Sequence, residues 1–397
     1  MIRRAPCGVP VYRRDIYATE AIVNPYPHYD RLRQLGSVVW LPKQRVYALP
    51  RFAECKVVLR DDSAFVSGSG VALNAISNRL SRGTTLNSDG TEHSRRRKLV
   101  AHRMLPRALA AISDSVTEQA AHVVDAAVAK GEIDGVTDLA SALPLAVVPD
   151  LVGWPRDQRD QLLAWAGATF NVLGPLNRHW VKASPSSVQM LRFARRVVGR
   201  RSVIEGSLGH DVLTAADEGK LAHRECPPLM VDYVAPSLDT TISAISSALH
   251  LFAAFPEQWE ILKDNHDLIP NAVNEVIRYE SPLRAFSRKA LQESSFGNAT
   301  IPAGSRVLVI YASANRDELE WDQPDVFDVR RDATRQLGFG HGAHACVGQG
   351  LARMETEAML RALAQRVDRI ELTSPPTWAV NNIIRRHERL PLKLIAA

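Results

Sequence analysis

The chain has 397 residues, 46% of them apolar and 23% charged, with a net charge of +6. That is ordinary for a folded globular chain with length to spare for a large core. The charge is modest, and its densest run, Arg95-Arg96-Arg97-Lys98, lacks interleaved aromatic residues, so a nucleic-acid surface is not expected. Cys7, Cys55, Cys226 and Cys346 lie far apart, which gives no disulfide framework and suits a reducing cytoplasm. The first residues, Met1 to Pro6, are basic but no apolar stretch follows them, so no secretory signal is indicated. No uninterrupted apolar run of about 18 residues predicts a membrane anchor.

In chain order, a helix is predicted to open at Pro25-Tyr26-Pro27. Val38 to Leu41 and Val46 to Leu49 read as a strand pair around a polar loop. Residues 67–89 are rich in Ser, Gly, Asn and Thr, the composition of a long loop broken by one short helix. A helix begins at Thr91 and places His93 and Arg97, four apart, on one face. Helical periodicity continues over 107–128, 140–152, 156–171 and 185–206. The longest helical signal, Leu229 to Phe255, is framed by Pro227-Pro228 and Pro256 and would run roughly 40 Å. It is apolar on most faces, yet Asp232 and Asp239 within it argue for a buried core helix rather than a membrane span. Glu275-x-x-Arg278 is spaced for a pair on one helix face. Ile301 to Ser305 reads as a turn leading into the strand Val307 to Ile310. Ile370-Glu371-Leu372 and Leu392-Lys393-Leu394 alternate as terminal strands. No repeat, low-complexity tract or linker divides the chain, so a single domain over residues 1–397 is expected.

The chemistry concentrates in Phe339-Gly340-His341-Gly342-Ala343-His344-Ala345-Cys346-Val347-Gly348. Glycines let this loop approach a flat ligand closely, and an amphipathic helix follows from Gln349. Cys346 thus sits at a helix N-terminus, where free N–H groups and the helix dipole favour a thiolate. Zinc is the competing reading of His341, His344 and Cys346, but a closed zinc site needs a fourth ligand and none lies nearby in sequence.

At every fixed position this loop resembles the haem-binding loop of the cytochrome P450 family. The resemblance runs from Asn24-Pro25-Tyr26 to the last strands. It implies a mainly α single-domain cytochrome P450 fold with a small β portion, holding haem b (iron protoporphyrin IX) on Cys346 as the axial ligand. By the same resemblance His93, Arg97, Arg288 and His344 are propionate ligands, with Phe339 beside the cofactor. Asp239-Thr240 matches the family's acid–alcohol pair, which delivers protons during oxygen activation. Glu275, Arg278 and Arg330 match its structural ion-pair set. Taken alone, each has a blander reading: solvated surface residues for His93 and Arg97, local backbone caps for Asp239 and Thr240.

Two positions depart from the family's pattern. Its Ala-Gly before the acid is Pro236-Ser237 here, and Pro236 is expected to open the helix because it lacks an N–H. The implied reaction is monooxygenation of a small organic molecule with dioxygen, by hydroxylation or O-dealkylation. A peroxide-using peroxygenase is the alternative, and a haem-based sensor a further one. Electrons are expected from a ferredoxin and its NAD(P)H-dependent reductase, docking on Arg95, Arg96, Lys98 and Arg353. The stretches around Phe170 and Leu283–Phe286 are similar to the branch that oxidises para-substituted benzoates. The resemblance places Ser69, Phe170, Leu173, Asp232, Pro236, Leu283 and Phe286 at the substrate pocket. Ser69 and Asp232 stand where that branch carries its carboxylate clamp, so a neutral or phenolic aromatic is expected rather than a benzoate. Arg79, Arg82 and Arg284 are the cations that could replace the clamp.

Overall fold

The computed structural model describes residues 8–397, so Cys7 and the basic N-terminal residues lie outside the described part. The molecule is built around one helix, Cys226–Ala254, most of whose side chains are buried. Pro227 and Pro228 occupy its first turn, where a missing N–H costs nothing, and Pro256 opens the next helix, Pro256–Asp264. Against this axis pack Ala142–Val152, Leu162–Asn171, Arg178–Gly199, Ile269–Tyr279 and Gln349–Ala364. The stretch Gly135–Val152 has the length and hydropathy of a membrane span, and it is packed against the central helix with Val136, Leu139, Ala140 and Leu143 in the core.

The β portion is small. A five-stranded sheet runs in the order Val39–Leu41, Val46–Leu49, Arg306–Val309, Phe286–Ala290, Phe65–Val66. A three-stranded sheet joins Glu132–Asp134, Pro391–Ala396 and Val367–Leu372, with Leu392 opposite Leu372 and Leu394 opposite Ile370. The predicted strand pairs are therefore all present.

Four local expectations are corrected. The helix predicted over 185–206 runs from Arg178 to Gly199: the Asn177 side chain accepts the N–H groups of His179 and Trp180, and Pro185 sits inside the helix. The helix predicted from 156 starts at Leu162, after a turn at Gly153 with φ 85°. Pro236 does not open the central helix, which continues through it. The hydroxyls of Ser237, Thr240 and Ser243 donate to the carbonyls of Tyr233, Pro236 and Asp239 at 2.7, 2.6 and 2.6 Å.

Arg330 is exposed and is not the third member of the ion-pair set; Arg331 is, with Nε 3.3 Å from Glu275 Oε1. Glu275 and Arg278 are both fully buried and meet at 2.6 Å. Arg278 also donates to the carbonyls of Asn315, Pro324 and Val326, and Glu275 accepts the N–H of Asp328. The set thus ties a helix to an irregular stretch with no strand or helix bonds of its own. In such a stretch no periodicity tells Arg330 from Arg331.

Candidate active site

One large internal cavity lies between the central helix and the Cys346 loop, with Phe170, Pro236, Thr240, Leu283 and Phe286 on one side and Cys346 on the other. The loop is held by its backbone: the Cys346 N–H donates to the Phe339 carbonyl at 2.8 Å. Gly340 and Gly342 both have φ 71°, and a Cβ at Gly342 would run into the Leu59 carbonyl at the end of the helix Phe52–Arg60. Cys346 keeps an accessible surface, and that surface faces the cavity. The thiolate expectation needs a correction. Burial pushes the Cys346 thiol up, outweighing the N–H groups of Gly348 and Gln349 and the nearby Arg97 and Arg353. A thiol in this position becomes a thiolate when a metal cation takes up its charge.

Around the same cavity stand His93, Arg97, Arg288 and His344. The rings of His93 and His344 lie 4.1 Å apart, and Nε2 of each is buried with no hydrogen-bond partner. His344 is pushed down to about 3 by burial and by Arg288, His93 and Arg97. Burial also holds the Arg97 guanidinium below its ordinary value. Buried donors without acceptors are costly. Two carboxylates on the edge of a flat ligand would satisfy this group, and a sulfur ligand lies beside it. The residues present therefore fit a haem. They fit zinc poorly: among the described residues no three His, Cys, Asp or Glu side chains gather to hold a metal ion.

Thr240 faces the cavity, whereas Asp239 points away from it and is fully buried. Asp239 Oδ1 lies 2.9 Å from Nε of Arg386, a partner that no sequence pattern announced. Burial raises the Asp239 carboxyl while Arg386 opposes the rise.

The predicted pocket residues divide. Phe170, Asp232, Pro236, Leu283 and Phe286 line the cavity. Leu173 lines a second, neighbouring cavity instead. Ser69 is exposed and lines neither, because its loop turns outward and its carbonyl accepts Arg306. The three candidate clamps also lie elsewhere: Arg79 and Arg82 are exposed, and Arg284 is spent on the carbonyls of Asn381 and Asn382. Asp232 Oδ2 accepts the backbone N–H groups of Thr85 and Leu86 at 2.8 and 3.4 Å. Burial raises the Asp232 carboxyl to about 6 despite those bonds, which leaves it mostly anionic at neutral pH.

A mainly helical frame with a buried central helix over a glycine-rich cysteine loop is the arrangement that a haem-thiolate protein needs. The comparisons agree. Residues 200–382 match the family model for cytochrome P450. The chain is 35% identical to cytochrome P450 CYP199A2 of Rhodopseudomonas palustris over 98% of its own length and 96% of that protein. It is 30% identical to the beta-dihydromenaquinone-9 omega-hydroxylase of Mycobacterium bovis, covering 92% and 75% of the two chains. Among solved structures, cytochrome P450 CYP109Q5 from Chondromyces apiculatus superposes with a TM-score of 0.82 at 28% identity, over 97% of this chain and 99% of that one. The chain belongs to the cytochrome P450 family, whose members are haem-thiolate monooxygenases using dioxygen, small-molecule substrates and redox partners.

Proposed function

We propose that residues 1–397 form one domain that binds haem b and oxidises a small, uncharged aromatic molecule by hydroxylation or O-dealkylation. The observation that carries this is the set of buried ring nitrogens without a hydrogen bond, His93 Nε2 and His344 Nε2, the latter 3.8 Å from Asp89 Oδ1, beside Arg97 and Arg288 around a cavity that also contains Cys346. Cys346 Sγ would hold the iron and the four cations and imidazoles the propionates. When bound, the haem activates dioxygen so that one atom enters a C–H bond and the other leaves as water.

The chain's own residues divide the remaining work. Thr240 Oγ1 holds a proton at the cavity wall, anchored on the Pro236 carbonyl at 2.6 Å. Asp239, on the far side of the helix, resupplies that proton, and Arg386 sets its charge state. Phe170 and Phe286 offer ring faces and edges to a planar substrate, and Leu283 closes the cavity against water. Asp232 supplies negative charge at the cavity wall where a benzoate would need a cation.

The docking surface needs revision. Arg96 and Arg95 are engaged with Glu225 and Glu92, and Arg353 donates to Asn274. The exposed cations near the outer side of the loop are Lys56 and Arg60, which add to burial in holding His341 low, and Lys98 on the helix Gly90–Ala101. An acidic ferredoxin would be drawn to these three. Cys55, Cys226 and Cys346 are free thiols, which supports work in the cytoplasm.

The test uses the haem-loaded protein with 4-methoxybenzyl alcohol and 4-methoxybenzoate. The alcohol is expected to displace the haem-bound water, seen as a Soret shift, and to lose its methyl group. Tight binding and demethylation of the acid with an inert alcohol would overturn the uncharged-substrate reading.

A further inference from the structure

Residues 63–88 and 161–204 contain nine Lys or Arg side chains and no Asp or Glu. The fold brings parts of both segments to one side of the molecule. Trp180 Nε1, on the helix Arg178–Gly199, donates to Ser77 Oγ on the short helix Ala75–Leu80 at 3.1 Å. Asn74 Nδ2 reaches the Gly174 carbonyl at 2.7 Å, which holds the turn bearing Leu176 against the same short helix. Along the long helix, Val181, Val188, Arg192 and Arg195 are spaced to fall on one stripe, and all four are exposed.

Two kinds of side chain gather on this side. Five of the twelve large apolar residues that stand exposed among the described residues are here: Ile76, Leu80, Leu176, Val181 and Val188, at 42–66% exposure. Such a cluster gains by leaving water and marks a contact surface. Beside it Arg79, Arg82, Lys182, Arg192 and Arg195 are exposed, and none makes a hydrogen bond or an ion pair among the described residues. By contrast, Arg95 and Arg96 of the densest basic run are spent on Glu92 and Glu225.

The charge decides what covers this face. A second copy of the chain would set cations against cations across a twofold axis. A protein partner presents fixed carboxylates, which reward cations already held in place, and these five are tied to nothing. A layer of anionic phospholipid offers phosphates that move with the cations and an apolar interior for the side chains between them. We propose that this face docks peripherally on an anionic bilayer, with its apolar side chains in the headgroup layer and its free cations on the phosphates. The contact lies on the membrane and does not span it.

The experiment sediments the haem-loaded protein with phosphatidylcholine vesicles, with and without added phosphatidylglycerol. The parent protein is expected to bind the anionic vesicles and to bind pure phosphatidylcholine at least about tenfold more weakly. Each cation near the surface strengthens binding roughly fivefold, so Arg192→Gln with Arg195→Gln should weaken it at least about tenfold. Val181→Ser with Val188→Ser should weaken it at least about fivefold. Lys56→Gln with Arg60→Gln removes the same net charge from a different surface and should leave vesicle binding unchanged. The carbon monoxide spectrum of the reduced protein counts the folded, loaded fraction in each sample. Absence of binding to anionic vesicles overturns the proposal. So does equal weakening by the Lys56 and Arg60 pair, which would mean attraction by net charge alone, or indifference to the two serines. A dimer in sedimentation velocity that the Arg192 and Arg195 pair alters would assign the face to a second copy instead. Failure on vesicles with weakened ferredoxin docking in the same pair would assign it to an acidic protein.

Discussion

Removing the charge on Arg386 should turn the enzyme's activity sharply pH-dependent. Asp239 has no accessible surface and Arg386 is its one ion-pair partner among the described residues, at 2.9 Å. With charge centres about 4 Å apart and an effective dielectric of about 20, the attraction is worth about 4 kcal/mol. Burial already raises the Asp239 carboxyl, so without Arg386 nothing comparable opposes protonation. Arg386→Gln keeps the length and a donor but not the charge. At pH 7 Asp239 is then expected to be neutral, and turnover to drop by about 100-fold, the lower range for loss of an acid–base group. Activity should recover as pH rises, moving the acid limb of the profile upward, whereas Arg386→Lys should stay near the parent enzyme. The assay is product formed per reduced nicotinamide across pH, with the same substitution repeated in an Asp239→Asn background. There it should add little, because the two side chains act as one unit. Superimposable pH profiles for Arg386→Gln and the parent would refute the pairing as a catalytic feature.

Cys346→Ser should abolish the red-shifted Soret band that a thiolate-bound ferrous haem gives with carbon monoxide, and a surviving band would remove Cys346 as ligand. Arg278→Leu should cost about 3–5 kcal/mol by stranding the buried Glu275 carboxylate, whereas Arg330→Ala should leave the thermal midpoint unmoved. Burial, His250, Arg385 and Arg386 hold His387 down at about 2. Between that value and its ordinary 6.5 the unfolded chain takes the proton and the folded one does not. Its contribution is complete above 6.5 and lost below, at most about 1.4 kcal/mol per pH unit, so His387→Gln should flatten denaturant-measured stability between pH 6.5 and 4. Reversing charge at Lys56, Arg60 and Lys98 together should slow reduction by a ferredoxin and weaken its salt dependence, read by stopped-flow.

What the sequence made legible was whatever is written locally. The Cys346 loop needs its glycines at fixed spacing because a Cβ at Gly342 would meet the Leu59 carbonyl, and spacing survives in one dimension. The central helix announces itself because prolines start and stop it. The partners of buried charges were not legible. Arg386 reaches Asp239 from the residues just before the strand His387–Arg389, and Arg331 rather than Arg330 reaches Glu275 from a stretch held by side chains instead of a ladder. Neither contact leaves a period in the sequence. Pro236 misled for a related reason. Propensity assigns its cost to an isolated helix, while here neighbouring elements enclose the helix and hydroxyls of Ser237, Thr240 and Ser243 occupy carbonyls along it.

Asp232 shows why substrate choice was the hardest part to read. In sequence it is one acidic residue in an apolar helix, and its meaning depends on what it touches. Its Oδ2 holds the Thr85 and Leu86 N–H groups, so the carboxylate that repels an anion also fixes the loop roofing the pocket. The two roles cannot be separated by shortening the side chain, since losing the acceptor strands two backbone donors and frees the roof. They can be separated by removing charge alone, because an amide oxygen still accepts. A chamber whose electrostatic filter doubles as a structural tie resists drifting toward acids by single substitutions to apolar residues. On the proposed reading, a preference for uncharged ligands would rest on the same contacts that tie the Thr85–Leu86 loop to the central helix.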